Sequence, residues 1–183
     1  MKKFILFIAC AFILSQTQFV AFSQTEEEKN VPERLKYLRE KYEENFEANF
    51  QTVFDACKTF IEKEISCQIL SQKIREMEDG KSRGVIKSEL CIFAQNDETV
   101  FPKIQKYALD PPFIRGGVWT SGRMKYVFIV TEIEANNINV ELRGELSGFE
   151  DNASFKAHFF NSNGLLEFQA FEAIREMINN ANK

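Results

Sequence analysis

The chain has 183 residues, with 27 Asp and Glu against 23 Lys and Arg, a single histidine and a formal net charge of −4. A mildly acidic chain without a basic run argues against general nucleic-acid binding, and a lone histidine excludes a zinc site built from several. The length suits one domain, and 19 phenylalanines supply ample aromatic area for its core.

The N-terminus reads as an export signal. Lys2 and Lys3 precede the apolar run Phe4 to Leu14, and small residues stand at Ala21 and Ser23 around Phe22. A basic start, a short apolar stretch and small residues at −3 and −1 define a secretory signal peptide over 1–23, cleaved after Ser23. The run is too short for a transmembrane anchor, and no later stretch is long enough to span a bilayer. Cys10 sits inside the apolar run rather than after it, so no lipid anchor is expected. The expected location is periplasmic or secreted.

Residues 24–44 read as a charged leader and helical arm, and 45–183 as a single α+β domain. Asn30 followed by Pro32 and Glu33 makes a plausible helix start. Apolar residues then recur in steps of three and four at Leu35, Leu38, Tyr42, Phe46, Phe50, Val53, Cys57 and Phe60. This stripe predicts a helix from Pro32 to Ile61, either continuous or broken near Asn45–Asn49. Its second half, from Phe50, is the more apolar and is expected to pack on the sheet.

Two hairpins follow. Ile65 to Ile74 alternates imperfectly around Ile69-Leu70, turns through Glu78–Gly84, and returns along Val85 to Ala94. The second hairpin, Lys125 to Ser147, is the strongest signal. Ile138, Val140, Leu142 and Leu146 fall on one face, and Val127, Ile129, Thr131 and Ile133 are assigned to the same buried side. Tyr126, Phe128 and Val130 then point to the opposite face. The turn is Glu134-Ala135-Asn136-Asn137, where Asn tolerates left-handed backbone. Between the hairpins, Gln95 to Arg123 carries three prolines, three glycines and the aromatics Phe101, Tyr107, Phe113 and Trp119. It reads as a long functional loop folded over a sheet edge or over the Tyr126–Phe128 side. Phe155 to Phe160 is a candidate fifth strand, and Leu165 to Asn179 an amphipathic helix. The expected fold is α+β: an antiparallel four- to five-stranded sheet with an N-terminal and a C-terminal helix packed on one face.

That order, the strands Tyr126–Ile133 and Ile138–Leu146, and the string Ser162-Asn163-Gly164-Leu165-Leu166-Glu167 before the last helix resemble BamC-type envelope domains. These are small helix-and-sheet modules of exported proteins, several of them lipoproteins associated with outer-membrane assembly. The resemblance covers Asn45 to Ile178 and implies contact with other proteins rather than catalysis; such domains offer no catalytic residues to carry over. The chain departs from the pattern by lacking a lipobox cysteine and by holding one such module.

Three cysteines follow the signal. Cys67 and Cys91 lie on neighbouring strands and can pair in an oxidising compartment; three free buried thiols are an equal alternative. Chemistry is sparse. No CxxC appears, and Gly116-Gly117 lacks the context of a phosphate loop, so no cofactor and no metal are expected. His158 alternates with Phe155, Ala157 and Phe159 in a strand pattern. Glu132 and Glu141 are the carboxylates available as a pair on a sheet face. The leading expectation is a non-enzymatic envelope protein, a protein-interaction or structural module, with Tyr126, Phe128, Phe113 and Trp119 as contact residues. Its partner would be an envelope protein or a second copy. The alternatives are a carrier of a lipid or other apolar small molecule and, remotely, a carboxylate-dependent hydrolase using His158, Glu132 and Glu141.

Overall fold

A computed structural model describes residues 32–181. The expected signal peptide, its expected cleavage after Ser23 and the start of the charged arm lie outside the described residues. The described residues form an α+β fold, with three α-helices and one antiparallel sheet of seven strands, against the four to five expected. No helix among the described residues is long and apolar enough to cross a membrane.

The sheet is built on one long hairpin, β5 (Trp119–Glu134) and β6 (Asn137–Glu150). Ala135 and Asn136 make its turn, with Asn136 at φ 60, a conformation asparagine tolerates. Each outer edge of this hairpin carries two short strands. β3 (Ser82–Ser88) and β4 (Cys91–Gln95) run in succession along β5. β1 (Tyr42–Phe46) and β7 (Lys156–Phe160) run along β6. β2 (Ile69–Glu76) adds outside β3 and ends the sheet on that side.

The structure departs from the sequence reading in three places, of which the first two supply the extra strands. The return strand Val85–Ala94 is two strands, interrupted at Glu89–Leu90. At that interruption the Tyr126 amide donates to the Ser88 hydroxyl at 2.8 Å, so a side chain replaces the missing ladder partner. The arm does not form a long helix. Glu33–Leu35 is a single 3-10 turn, and Tyr42–Phe46 is strand β1. A step of four between Tyr42 and Phe46 fits both a helix turn and two strand repeats, so the stripe did not discriminate. The true start is Asn49, whose side-chain oxygen accepts from the Thr52 amide at 2.9 Å and caps α1 (Phe50–Thr59). Thirdly, the long loop contains α2 (Val100–Tyr107), with Pro102 tolerated in its first turn.

The pairing also reverses one face assignment. Phe128 stands opposite Leu142, Val130 opposite Val140 and Tyr126 opposite Gly144. Residues directly opposed in an antiparallel pair share a face. Tyr126, Phe128 and Val130 therefore join Ile138, Val140 and Leu142, and all six are almost wholly buried. Phe60, one residue past α1, meets Tyr126 and Phe128 edge-on at centroid distances of 5.5 and 6.0 Å. Phe54 of α1 lies so close over Gly84 of β3 that a Cβ there would approach its ring to 2.4 Å. From α3 (Leu165–Ala181), Phe171 meets Phe46 of β1 at 6.4 Å, and Arg175 Nε donates to Glu44 at 3.0 Å.

Cys67 and Cys91 form a disulfide with Cα atoms 5.4 Å apart, tying the entry of β2 to the start of β4. Cys57 is fully buried in α1 and free; desolvation pushes its thiol pKa well up, which makes it inert. The bridge closes 24 residues of chain, a loop for which chain entropy gives about 3 kcal/mol. A Cys67→Ser/Cys91→Ser variant is expected to unfold at lower urea by that amount. Reductant should lower the midpoint of the natural protein and leave the variant's midpoint unmoved.

Candidate functional site

The four residues expected to make contacts separate into two groups. Tyr126 and Phe128 are core, 3% and 0% exposed under Phe60, so they offer no contact surface. Phe113 and Trp119 are brought together at an open cleft of about 520 Å³ between α2, the 109–118 segment and the start of β5. Trp119 is 8% exposed, and Phe113 stands 83% exposed at the cleft. Phe101 of α2 stacks on the Trp119 indole at 5.6 Å and 16° between planes, while Phe160 and His158 of β7 flank it. Ile114 completes the apolar wall, and Asp97 and Glu98 give the rim negative charge. Thr99 holds Asp97 through its amide and hydroxyl, which keeps that carboxyl below its ordinary range.

Glycine creates the space for this aromatic cluster. Gly122 and Gly148 sit directly opposite each other on β5 and β6. A Cβ at Gly122 would come within 2.5 Å of Phe93, and one at Gly148 within 2.7 Å of Ile104 and 2.9 Å of Trp119. The bare backbone lets α2 and the indole settle against the sheet.

A buried carboxylate secures the cleft's far wall. Glu150, without exposed surface, accepts from the amides of Asn152 at 2.9 Å, Ala153 at 2.7 Å and Ser154 at 2.6 Å, and from the Ser154 hydroxyl at 2.6 Å. These donors favour the ionised form and hold its pKa at about 2. The turn they organise reaches across to the cleft loop. Asn152 donates from Nδ2 to the Gly116 carbonyl at 2.7 Å and accepts from the Val118 amide at 2.9 Å.

Glu150, Ser154 and His158 have the residue types of a hydrolase triad in the wrong order. A carboxylate only accepts, so the Ser154 hydroxyl must donate to Glu150; His158 Nε2, 3.0 Å from that oxygen, can then only donate to it. The histidine therefore does not accept the serine's proton, the group that does accept its hydrogen bond is a carboxylate held at a pKa of about 2, and the trio fastens the turn. Glu132 and Glu141 are also kept apart. Glu141 lies opposite Ile129, and Glu132 opposite Ile138, which puts the two acids on opposite faces of the sheet. Glu132 accepts from the Ser82 amide, and Glu141 pairs with Arg143 and Lys41. Among the described residues no group of three or more His, Cys, Asp and Glu is placed to hold a metal.

A second cleft, of about 470 Å³, opens between Tyr42, Leu142 and Phe160, with Glu167 at its floor. Glu167 is 1% exposed in the first turn of α3; burial raises its pKa, and the Ser162 hydroxyl bonds it at 2.8 Å. The Ser162-Asn163-Gly164 string thus fastens the helix start: Asn163 Oδ1 accepts from the Leu165 amide, and Asn163 Nδ2 donates to the Lys106 carbonyl of α2.

Fold and site together define an α+β protein with one antiparallel sheet and an aromatic surface cleft. No family model matches the chain, and no curated protein or solved structure matches it either.

Two outcomes follow from this geometry. Phe128→Glu buries a charge in the core and should abolish cooperative unfolding, whereas Phe113→Glu should fold with an unchanged melting midpoint, both read by circular dichroism. The Glu150 pKa is depressed in the folded state, so its contribution is present above the unfolded value near 4.5 and is lost as pH falls toward 2. Glu150→Gln should destabilise the protein at neutral pH and flatten its loss of stability between those two values in urea titrations.

Proposed function

We propose that this is an exported, non-enzymatic envelope protein that works as a protein-interaction module, with the aromatic cleft as its contact surface. The observation that carries the reading is Phe113, a large apolar ring left 83% exposed beside the stacked pair Phe101 and Trp119. Covering such a ring is worth about 1.5–3 kcal/mol, a gain that a partner side chain placed in the cleft would collect. The partner's matching feature is an apolar side chain flanked by basic residues, because Asp97 and Glu98 edge the cleft. An envelope location is supported by the basic-apolar N-terminus and by the Cys67–Cys91 bridge, since such bridges persist in oxidising compartments. Within this proposal, the likeness to BamC-type envelope domains is one of layout: sheet strands bracketed by helices, closed by the Ser162–Glu167 string.

A carrier of an apolar small molecule is the second reading. The volume beneath α1 and α3 is filled by Phe60, Tyr126, Phe128, Ile174 and their neighbours, so such a ligand has only the open clefts to occupy.

The test is photocrosslinking in the native host, with a benzophenone amino acid at Val118 on the cleft's rim. A protein-sized adduct is expected that disappears with Phe113→Ser and survives Phe155→Ser, a control ring exposed elsewhere. An adduct indifferent to Phe113, or none, would contradict the contact role. A lipid-sized adduct would transfer the cleft to the carrier reading.

A further inference from the structure

We infer that the outer edge of β2 is a docking site for an extended acidic peptide, added to the sheet as a further strand. This surface is separate from the aromatic cleft, and the argument for it does not depend on that reading.

β2 ends the strand order, so its outward N–H and C=O groups have no strand partner among the described residues. From Ser71 to Glu76 it is regular, free of proline and exposed at every position. Such an edge is a template for strand addition. The chemistry beside it is one-sided. Ser71, Lys73 and Arg75 of β2 stand opposite Lys87, Val85 and Arg83 of β3, which in turn oppose Val127, Ile129 and Thr131 of β5. All of these lie on the face away from Phe128, because they alternate with Gly84 and Ile86, the partners of Val130 and Phe128. Lys73, Arg75, Arg83 and Lys87 therefore converge on one open groove of about 670 Å³, floored by Val85. Among the described residues none of the four reaches a carboxylate within ion-pair distance, although the chain as a whole is acidic. The buried Nε of Arg83 has no hydrogen-bond partner. The basic cluster was invisible as a sequence run because two strands assemble it.

Edge protection is the ordinary explanation for charges on a terminal strand, and it accounts for Lys73 and Arg75. It does not account for Arg83 and Lys87, which sit one strand further in. Nor does it explain why Arg83 is set directly opposite Arg75, since like charges at opposed positions cost stability. An anionic strand along β2 would relieve that repulsion. A second copy does not suit. Two β2 edges paired about an axis normal to the sheet would bring the two basic columns side by side. The other side of β2 specifies the alternate positions of the peptide: Ile74, half exposed, borders a small groove beside Phe54 of α1. The recognised segment is acidic at every second residue, with apolar residues between.

The probe is a fluorescent peptide with Glu at alternate positions and Val or Thr between, titrated against the full protein by anisotropy. A control peptide of the same sequence is N-methylated on the amides that would bond β2. The expected result is binding that weakens with salt, falls by about tenfold or more in Lys73→Glu/Arg75→Glu, and is absent for the methylated peptide. Amides of β2 should gain protection from hydrogen exchange in the complex. Both substituted residues are exposed, and Arg75→Glu replaces a like-charge pair with Arg83 by an opposite one, so the variant should melt no lower than the natural protein; Arg83→Gln gives a second reading at the inner strand. No binding, or equal binding of the methylated peptide, would overturn the proposal. So would binding to phosphatidylglycerol vesicles without binding to the peptide, which would assign the basic face to a membrane surface.

Discussion

The pairing of β5 with β6, in the register that sets Phe128 opposite Leu142, constrains every other element. It decides which side of both strands is apolar, and so where Phe54, Phe60 and Phe171 can be buried. It also makes the hairpin long enough to carry two short strands along each edge. A slip of β5 by one residue would turn Tyr126, Phe128 and Val130 to solvent and Lys125 toward the helices, a change no local repair could offset. The stability of the sheet therefore resides in its middle, while its ends are free to serve other purposes.

Those ends are where polar chemistry substitutes for packing. At one, the Glu150 carboxylate gathers four amides, Val118's among them, and a hydroxyl, and Asn152 passes the order on to Gly116 and Val118. At another, Ser88 supplies the hydrogen bond that the break between β3 and β4 leaves open, and the Cys67–Cys91 bridge spans the same region. The aromatic cleft leans on the first arrangement: the Glu150 turn ties down Gly116 and Val118, the end of the loop that carries Phe113 to the cleft. Apolar burial determines the frame, and directed hydrogen bonds determine the shape of the surface on it.

The hairpin from Lys125 to Ser147 was legible because alternation over many residues has one interpretation, and α3 because its stripe sustains a period of 3.6. The arm was misread because Tyr42 and Phe46 satisfy either period; what separates them, pairing of β1 to β6, is a long-range contact with no local signature. The face of Phe128 was misassigned because β5 is apolar on both sides, so its parity follows from its partner and not from its own composition. α2 was hidden in a segment whose prolines and glycines read as loop, although Pro102 occupies a first turn. Of the four candidate contact residues, Tyr126 and Phe128 rested on that face assignment, and Phe113 and Trp119 on their place in the long loop. Only tertiary packing separates the exposed Phe113 from the buried Tyr126 and Phe128.

Native-state hydrogen exchange tests the central claim about the hairpin most directly. The account predicts the slowest amides at Phe128–Val130 of β5 and Val140–Leu142 of β6, exchanging only with global unfolding, while β2 and residues 109–118 exchange early. Fast exchange at Phe128–Val130, with the slowest amides instead confined to α3, would contradict it, because the helix would then be the element on which the sheet depends.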